Sequence, residues 1–275
     1  MPVTKHPSGR RSIQVEAEVP GTLEQAWQAI ATGPGVSSWF VPTTIELGPD
    51  GQPARVLSNF GPGMDSVATV TAWEPLRRFA AESQNQGPGA PPMLTEWSVE
   101  ARSGGTCIVR VVHSMDTASD AWDKELGGME SGWPGFFRIL RLYLAHFPGQ
   151  PCHAIRAMAM PAGTEKEVWA TFTQSLGAAK PEPGQPFRSA ASAPPLAGII
   201  ERASEWPSGA LLLRITEPAP GIAAFGAYNC GGMVLVSMCV NFYGGDTAAA
   251  VAAEHTPRWQ SWLAGLFPAA SGAKA

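Results

Sequence analysis

The chain has 275 residues, of which 44% are hydrophobic and only 15% charged, with a formal net charge of −4 and a pI near 5.8. That length accommodates two domains with their own cores, the acidic balance excludes an electrostatic footprint for nucleic acid or anionic membrane, and no apolar run approaches the ~20 residues of a membrane-spanning helix. The charged fraction lies well below the roughly 25% of ordinary globular proteins, which predicts surface hidden between two halves or against a second copy in a homodimer.

Residues 1–11 are polar and basic, lack the apolar core of a secretory signal, and read as a disordered tail. Ile13, Val15, Ala17 and Val19 then alternate with polar neighbours, a one-sided strand. Pro20-Gly21-Thr22 leads into a helix to Ala31, with Thr22 as N-cap and Gln25 closing a capping box. After Gly33-Pro34-Gly35 comes a short helical turn over Val36–Phe40. Strand-like runs follow at Thr43–Leu47, Ala54–Asn59, Ser66–Trp73, Arg77–Ser83, Thr95–Ala101 and Thr106–Met115. Turn sequences separate them at Pro49-Asp50-Gly51, Gly61-Pro62-Gly63, Glu74-Pro75, Gly87–Pro92 and Gly104-Gly105. Helical sequence covers Asp120–His146, punctuated at Gly127-Gly128 and Gly132–Gly135.

The order then repeats. Met158–Met160, Pro161, Gly163 and Thr164 lead into a helix to Leu176, with Glu167 where the first copy has Gln25 and Trp169 where it has Trp27. A Gly/Pro/Ser/Ala-rich loop fills Gly177–Pro195. Strand-like runs follow at Leu196–Ala203, Ala210–Glu217, Gly221–Asn229 and Gly232–Tyr243, the last after Gly231-Gly232, and a final helix spans Thr247–Leu266. Both copies close on Phe-Pro. A period this long exceeds the 20–50 residues of solenoids and means two related domains, 10–149 and 151–268, the second short of about two strands. Its first strand is expected to place Arg156 where the first copy has Val15, and Met233, Met238, Trp259 and Trp262 to fill its interior.

A many-stranded antiparallel sheet with one long helix across its apolar face is an α+β arrangement. The helix covers that face incompletely, which leaves room for an apolar ligand. The ordered set Val19-Pro20-Gly21-Thr22, Ala26-Trp27, Val36-Ser37-Ser38-Trp39-Phe40-Val41-Pro42, Ala72-Trp73-Glu74-Pro75, Thr95-Glu96-Trp97, Gly104-Gly105-Thr106, His113-Ser114 and Gly132-Trp133 with Leu140 and Leu144 resembles the START-like (SRPBCC) superfamily. Within it the chain is similar to the family related to the activator of the heat-shock-protein ATPase. The resemblance implies two tandem helix-grip domains, each an antiparallel sheet wrapped around a long C-terminal helix, the second diverged. It also implies an activity drawn from ligand carriers, cyclases and chaperone activators, a range too wide to fix function.

Alternation in Thr106–Met115 puts His113 and Met115 on the apolar, cavity-facing side and Ser114 on the other, so Ser114 and His113 form no nucleophile–base pair. His113 is either a ligand contact, an acid or base, or a core histidine satisfied by neighbours. Trp39, Phe40, Trp73, Trp97, Trp133 and Phe137 lie on elements surrounding the cavity, and are either lining or core. Glu96 and Glu100 face outward. Asp116, Asp120 and Asp123 fit a helix-start preference. The cysteines, Cys107, Cys152, Cys230 and Cys239, are scattered without metal-ligand spacing and read as reduced thiols of a cytoplasmic protein. No catalytic constellation, metal site or cofactor is expected. The expected function is binding of a hydrophobic small molecule in the first domain, for transport, sequestration or self-protection. The alternatives are a cyclase- or dehydratase-like enzyme using His113, less favoured, and a chaperone-activator-like interaction module.

Overall fold

Strand β1 (Thr4–Lys5) folds back on β2 (Arg10–Pro20), pairing Thr4 with Ser12 and Lys5 with Arg11. From residue 3 on, the expected disordered tail is therefore a hairpin, held by partners for its basic residues, and residues 1 and 2 lie outside the described residues. Arg10 donates to the Ser114 hydroxyl, and Arg11 and Lys5 both reach the Asp123 carboxylate. The computed structural model describes residues 3–61, 63–83, 90–117, 119–204, 209–230 and 232–268. The turns expected at Gly61-Pro62-Gly63, Gly87–Pro92 and Gly231-Gly232 fall partly outside the described residues. The chain divides into two compact units, Met1–Gly149 and Gln150–Ala275.

In the first unit, β2 is followed by α1 (Leu23–Ala31), α2 (Gly33–Ser37), β3 (Thr43–Leu47), β4 (Pro53–Asn59), β5 (Asp65–Glu74), β6 (Arg78–Ser83), β7 (Met93–Arg102) and β8 (Thr106–Asp116). A 3-10 turn, Asp120–Trp122, leads into the long helix α3 (Asp123–His146). The sheet is antiparallel, in the order β1-β2-β8-β7-β6-β5-β4-β3. The Thr22–Gln25 capping box forms, because the threonine hydroxyl and the glutamine amide each meet a backbone N–H the helix leaves free. Helix α3 runs unbroken through the glycines and Pro134 that the sequence suggested as punctuation. Leu126, Trp133, Phe137, Leu140 and Leu144 form one buried stripe along it, and burying that stripe outweighs weak local propensity.

Pairing register assigns the concave face, since directly opposed residues point the same way. From β2 outward it presents Ile13, Val15 and Val19, then Val111, His113 and Met115, Thr95 and Trp97, Phe79 and Ala81, Ala68 and Val70, Val56, and Ile45. Helix α3 packs chiefly against β2. Accordingly the face is buried across most of β2, β8, β7 and β6, whereas Val70, Ala68, Val56 and Ile45 on β5, β4 and β3 are only half-buried.

The second unit repeats the order with β9 (Cys152–Ala159), α4 (Glu165–Leu176), β10 (Pro186–Arg188), β11 (Ala197–Ser204), β12 (Gly209–Glu217), β13 (Gly221–Cys230), β14 (Met233–Tyr243) and α5 (Asp246–Leu266). Among the described residues its antiparallel sheet, β10-β11-β12-β13-β14-β9, has no counterparts of β1 and β3. The repeat extends to backbone angles: Gly21 and Gly163 both have φ +115°, a conformation costly for any side chain, and Thr164 with Glu167 forms the second capping box. The long loop contains the short strand β10, which the composition of Gly177–Pro195 did not indicate. Arg156 does not take Val15's place. Ile155 stands before Thr164 as Ile13 does before Thr22, so Ala157 matches Val15 and Ile155 is the buried residue. Met238 and Trp259 are buried in the core, but Met233 is 57% exposed at the strand's end and fills nothing.

Candidate functional site

The first unit gathers six of the eight residues singled out from the sequence. The backbone after α2 turns inward at Trp39, whose indole N–H donates to the Ala29 carbonyl at 2.8 Å. Its ring meets Trp97 edge-on at 6.0 Å, and Trp97 meets Trp133 at 5.1 Å and Phe137 at 6.2 Å. Phe40 packs on Trp133 at 5.1 Å. From Phe40 the rings continue outward to Phe60, after β4, at 5.7 Å and to Phe136, on α3, at 4.7 Å. Phe60 and Phe136 are 43% and 37% exposed, so a continuous ring cluster reaches from the buried sheet face to solvent.

His113 closes the inner end of this cluster. The Trp133 indole N–H donates to its Nε2 at 2.8 Å, and Thr95 Oγ1 lies 2.9 Å from its Nδ1. Accepting at Nε2 fixes the proton on Nδ1, which then donates to the threonine hydroxyl. Burial pushes the imidazole down to about 4, so it is neutral across the physiological range. With both nitrogens engaged, it can hold Trp133 and Thr95 in place but has no free position to move a proton.

The other two residues lie elsewhere. Trp73 packs with Trp27 at 5.4 Å and Phe79 at 5.3 Å, forming a separate cluster under α1. Met115 is fully buried, opposite Met93 and Arg11 on the neighbouring strands. Sequence reasoning missed Thr95, Phe60 and Phe136. Thr95 was within reach, because the Gly104-Gly105 turn sets the β7–β8 register and places it opposite His113.

A separate open cleft of about 470 Å³ runs between β2 and α3, lined by Gln14, Val15, Glu16, Glu130, Ser131 and Pro134. None of the expected residues borders it, and its two carboxylates suit an apolar ligand poorly. Glu96 faces outward and pairs with Arg78, Ser114 accepts from Arg10 on the opposite face from His113, and Asp123 begins α3. Cys107, Cys152 and Cys239 are free thiols. Burial raises Cys107, and Cys152 to about 12, so neither is a thiolate at neutral pH. Among the described residues no group of His, Cys, Asp and Glu comes together to hold a metal ion, and no helix is long and apolar enough to cross a membrane.

An antiparallel sheet wrapped around a long C-terminal helix, entered through a capped helix after its first long strand, is the helix-grip architecture, and both units have it. Residues 21–145, within the first unit, match the family model described as Activator of Hsp90 ATPase homolog 1-like protein. No curated protein matches the chain. Similar solved structures include the di-domain ARO/CYC BexL from the BE-7585A biosynthetic pathway, at 13% identity over 94% of this chain and 99% of that one, TM-score 0.44. DynU16, from the dynemicin biosynthetic locus, is 15% identical over 92% and 96%, TM-score 0.41. The Aha1 dimer from Colwellia psychrerythraea is 17% identical over 48% and 95%, TM-score 0.38.

Proposed function

We propose that the first unit binds a hydrophobic small molecule between its sheet and α3, for transport, sequestration or self-protection. The observation that carries this reading is the ring path from exposed Phe60 and Phe136, through Phe40 and Trp133, to the buried His113–Thr95 pair. Beside it the apolar residues Val70, Val56 and Ile45 are only half covered by the protein. Apolar surface left partly wet gains roughly 25 cal/mol per Å² when a ligand covers it. Large flat side chains form such walls at small entropic cost. Among its described residues the second unit offers no comparable face: Leu211, Leu213, Ile215 and Ile200, on the strands matching β6 and β5, are buried in its own core.

A cyclase- or dehydratase-like reaction would need a proton carrier, and both His113 nitrogens are spent on Thr95 and Trp133, which favours a binder. A chaperone-activator-like role needs free charge for docking. Much of the charge on the outer face of the first sheet is instead matched internally, through Arg78 with Glu74 and Glu96 and Arg110 with Glu16. The same reading places the protein in a reducing, cytoplasmic setting, supported by its free thiols, and as a homodimer, supported by its low charge. Native mass spectrometry of the full chain purified from its own host tests the proposal. A retained organic molecule that is recovered unchanged after long incubation is the expected result. A bound molecule converted to a second mass would replace the binder by an enzyme.

A further inference from the structure

Helix α5 buries one stripe, Ala248, Ala252, His255, Trp259 and Leu263, against the second unit's sheet. Two members of that stripe are polar and lie one turn apart, where helical side chains are neighbours. Trp259 is fully buried and His255 is 5% exposed. Neither the Trp259 indole N–H nor His255 Nδ1 has a hydrogen-bond partner among the described residues. No described sheet residue meets them: the inner face is apolar at Ile155, Val236, Met238, Val240, Ala223 and Phe225, and the inward-facing His153 stands at the start of β9, opposite Phe242.

The first unit shows how such a helix-borne indole is satisfied. There Trp133 donates to His113, which Thr95 holds from the next strand. In the second unit Val240 stands opposite Ile155 as His113 stands opposite Ile13, and Ala223 stands opposite Val240 as Thr95 stands opposite His113. The sheet has lost the polar pair, while the helix has gained a histidine one turn from its tryptophan. A buried donor and a buried acceptor left unmet each keep their full desolvation cost, and native interiors meet such groups with protein or with a bound molecule.

We propose that the second unit holds a hydroxyl-bearing molecule beneath α5, its oxygen accepting the Trp259 indole proton and donating to His255 Nδ1. The chemistry is that of a single hydroxyl, supplied either by an internal water or by a small organic alcohol. Burial lowers the His255 pKa, which keeps the ring neutral and so able to accept at one nitrogen. The site is independent of the ligand proposed for the first unit, which lies in a different sheet.

The test is ¹⁵N NMR of the full-length protein, reading the indole N–H of Trp259. The signal is assigned by its loss in Trp259→Phe, or, should that variant not fold, by proximity to the rings of Phe225 and Trp262, 6.1 and 5.5 Å away. A downfield indole proton with a cross-peak to bound water identifies the hydroxyl as internal water. A cross-peak to carbon-bound protons foreign to the protein, with a matching added mass in the native spectrum, identifies an organic alcohol. In either case His255→Leu moves the indole proton upfield and removes the cross-peak. An indole proton with neither cross-peak, unmoved by His255→Leu, overturns the proposal.

Discussion

The contact between Trp133 and His113 joins helix to sheet in the first unit through one hydrogen bond between side chains that are both buried. Trp133→Phe removes the donor and leaves Nε2 of His113 unmet. It is expected to cost about 1–3 kcal/mol in chemical denaturation beyond the ring's lost area. Adding His113→Val to that variant removes the orphaned acceptor, so the double variant should be more stable than the two single losses add up to. Strict additivity would mean the bond is not formed. The same histidine makes stability depend on pH. Its pKa is about 4 when folded and about 6.5 when unfolded, so between those values only the unfolded chain takes up the proton. Stability should therefore be intact above pH 6.5 and fall by roughly 3 kcal/mol as pH drops to 4. Denaturation midpoints of the wild type against His113→Gln across pH 4–7 check this. A difference between the two that does not change with pH would contradict it.

At the scale of elements, the start of α3 is fastened by Asp123, which meets Arg11 from the sheet and Lys5 from the first hairpin. Arg11 is buried, so Asp123→Asn should cost roughly 1.5–3 kcal/mol, the range for a hydrogen bond to a charged group. It should also speed amide exchange in the first turns of α3. Exchange unchanged there would show that the stripe around Trp133 alone fixes the helix. Much of this level was legible. Both capping boxes follow from Thr-x-x-Gln and Thr-x-x-Glu, and the strands from their alternation. What was not legible depended on partners distant in sequence. Arg10 and Arg11 look like a solvated tail until Ser114 and Asp123 come within reach. The glycines of α3 look like breaks until the sheet offers a face for Leu126, Trp133 and Phe137. Phe60 and Phe136 look like scattered surface residues until Phe40 is placed between them.

At the scale of the molecule, one architecture is used twice with different interiors. The second unit's sheet is closed by its own core, with Trp169, Phe172, Phe225, Trp259 and Trp262 in mutual contact. The first unit's wider sheet carries half-covered strands beside an aromatic cluster open at Phe60 and Phe136. The difference predicts which half holds an apolar ligand. The most direct measurement is a fluorescence titration of the full chain with the neutral apolar probe N-phenyl-1-naphthylamine, repeated on Trp133→Ala and, as a control in the second unit, Trp262→Ala. Trp133→Ala should weaken binding by about 2 kcal/mol or more, some thirtyfold in Kd, while Trp262→Ala leaves it unchanged. Unchanged affinity in a folded Trp133→Ala variant, or loss of binding in Trp262→Ala instead, would contradict the assignment of the ligand to the first unit.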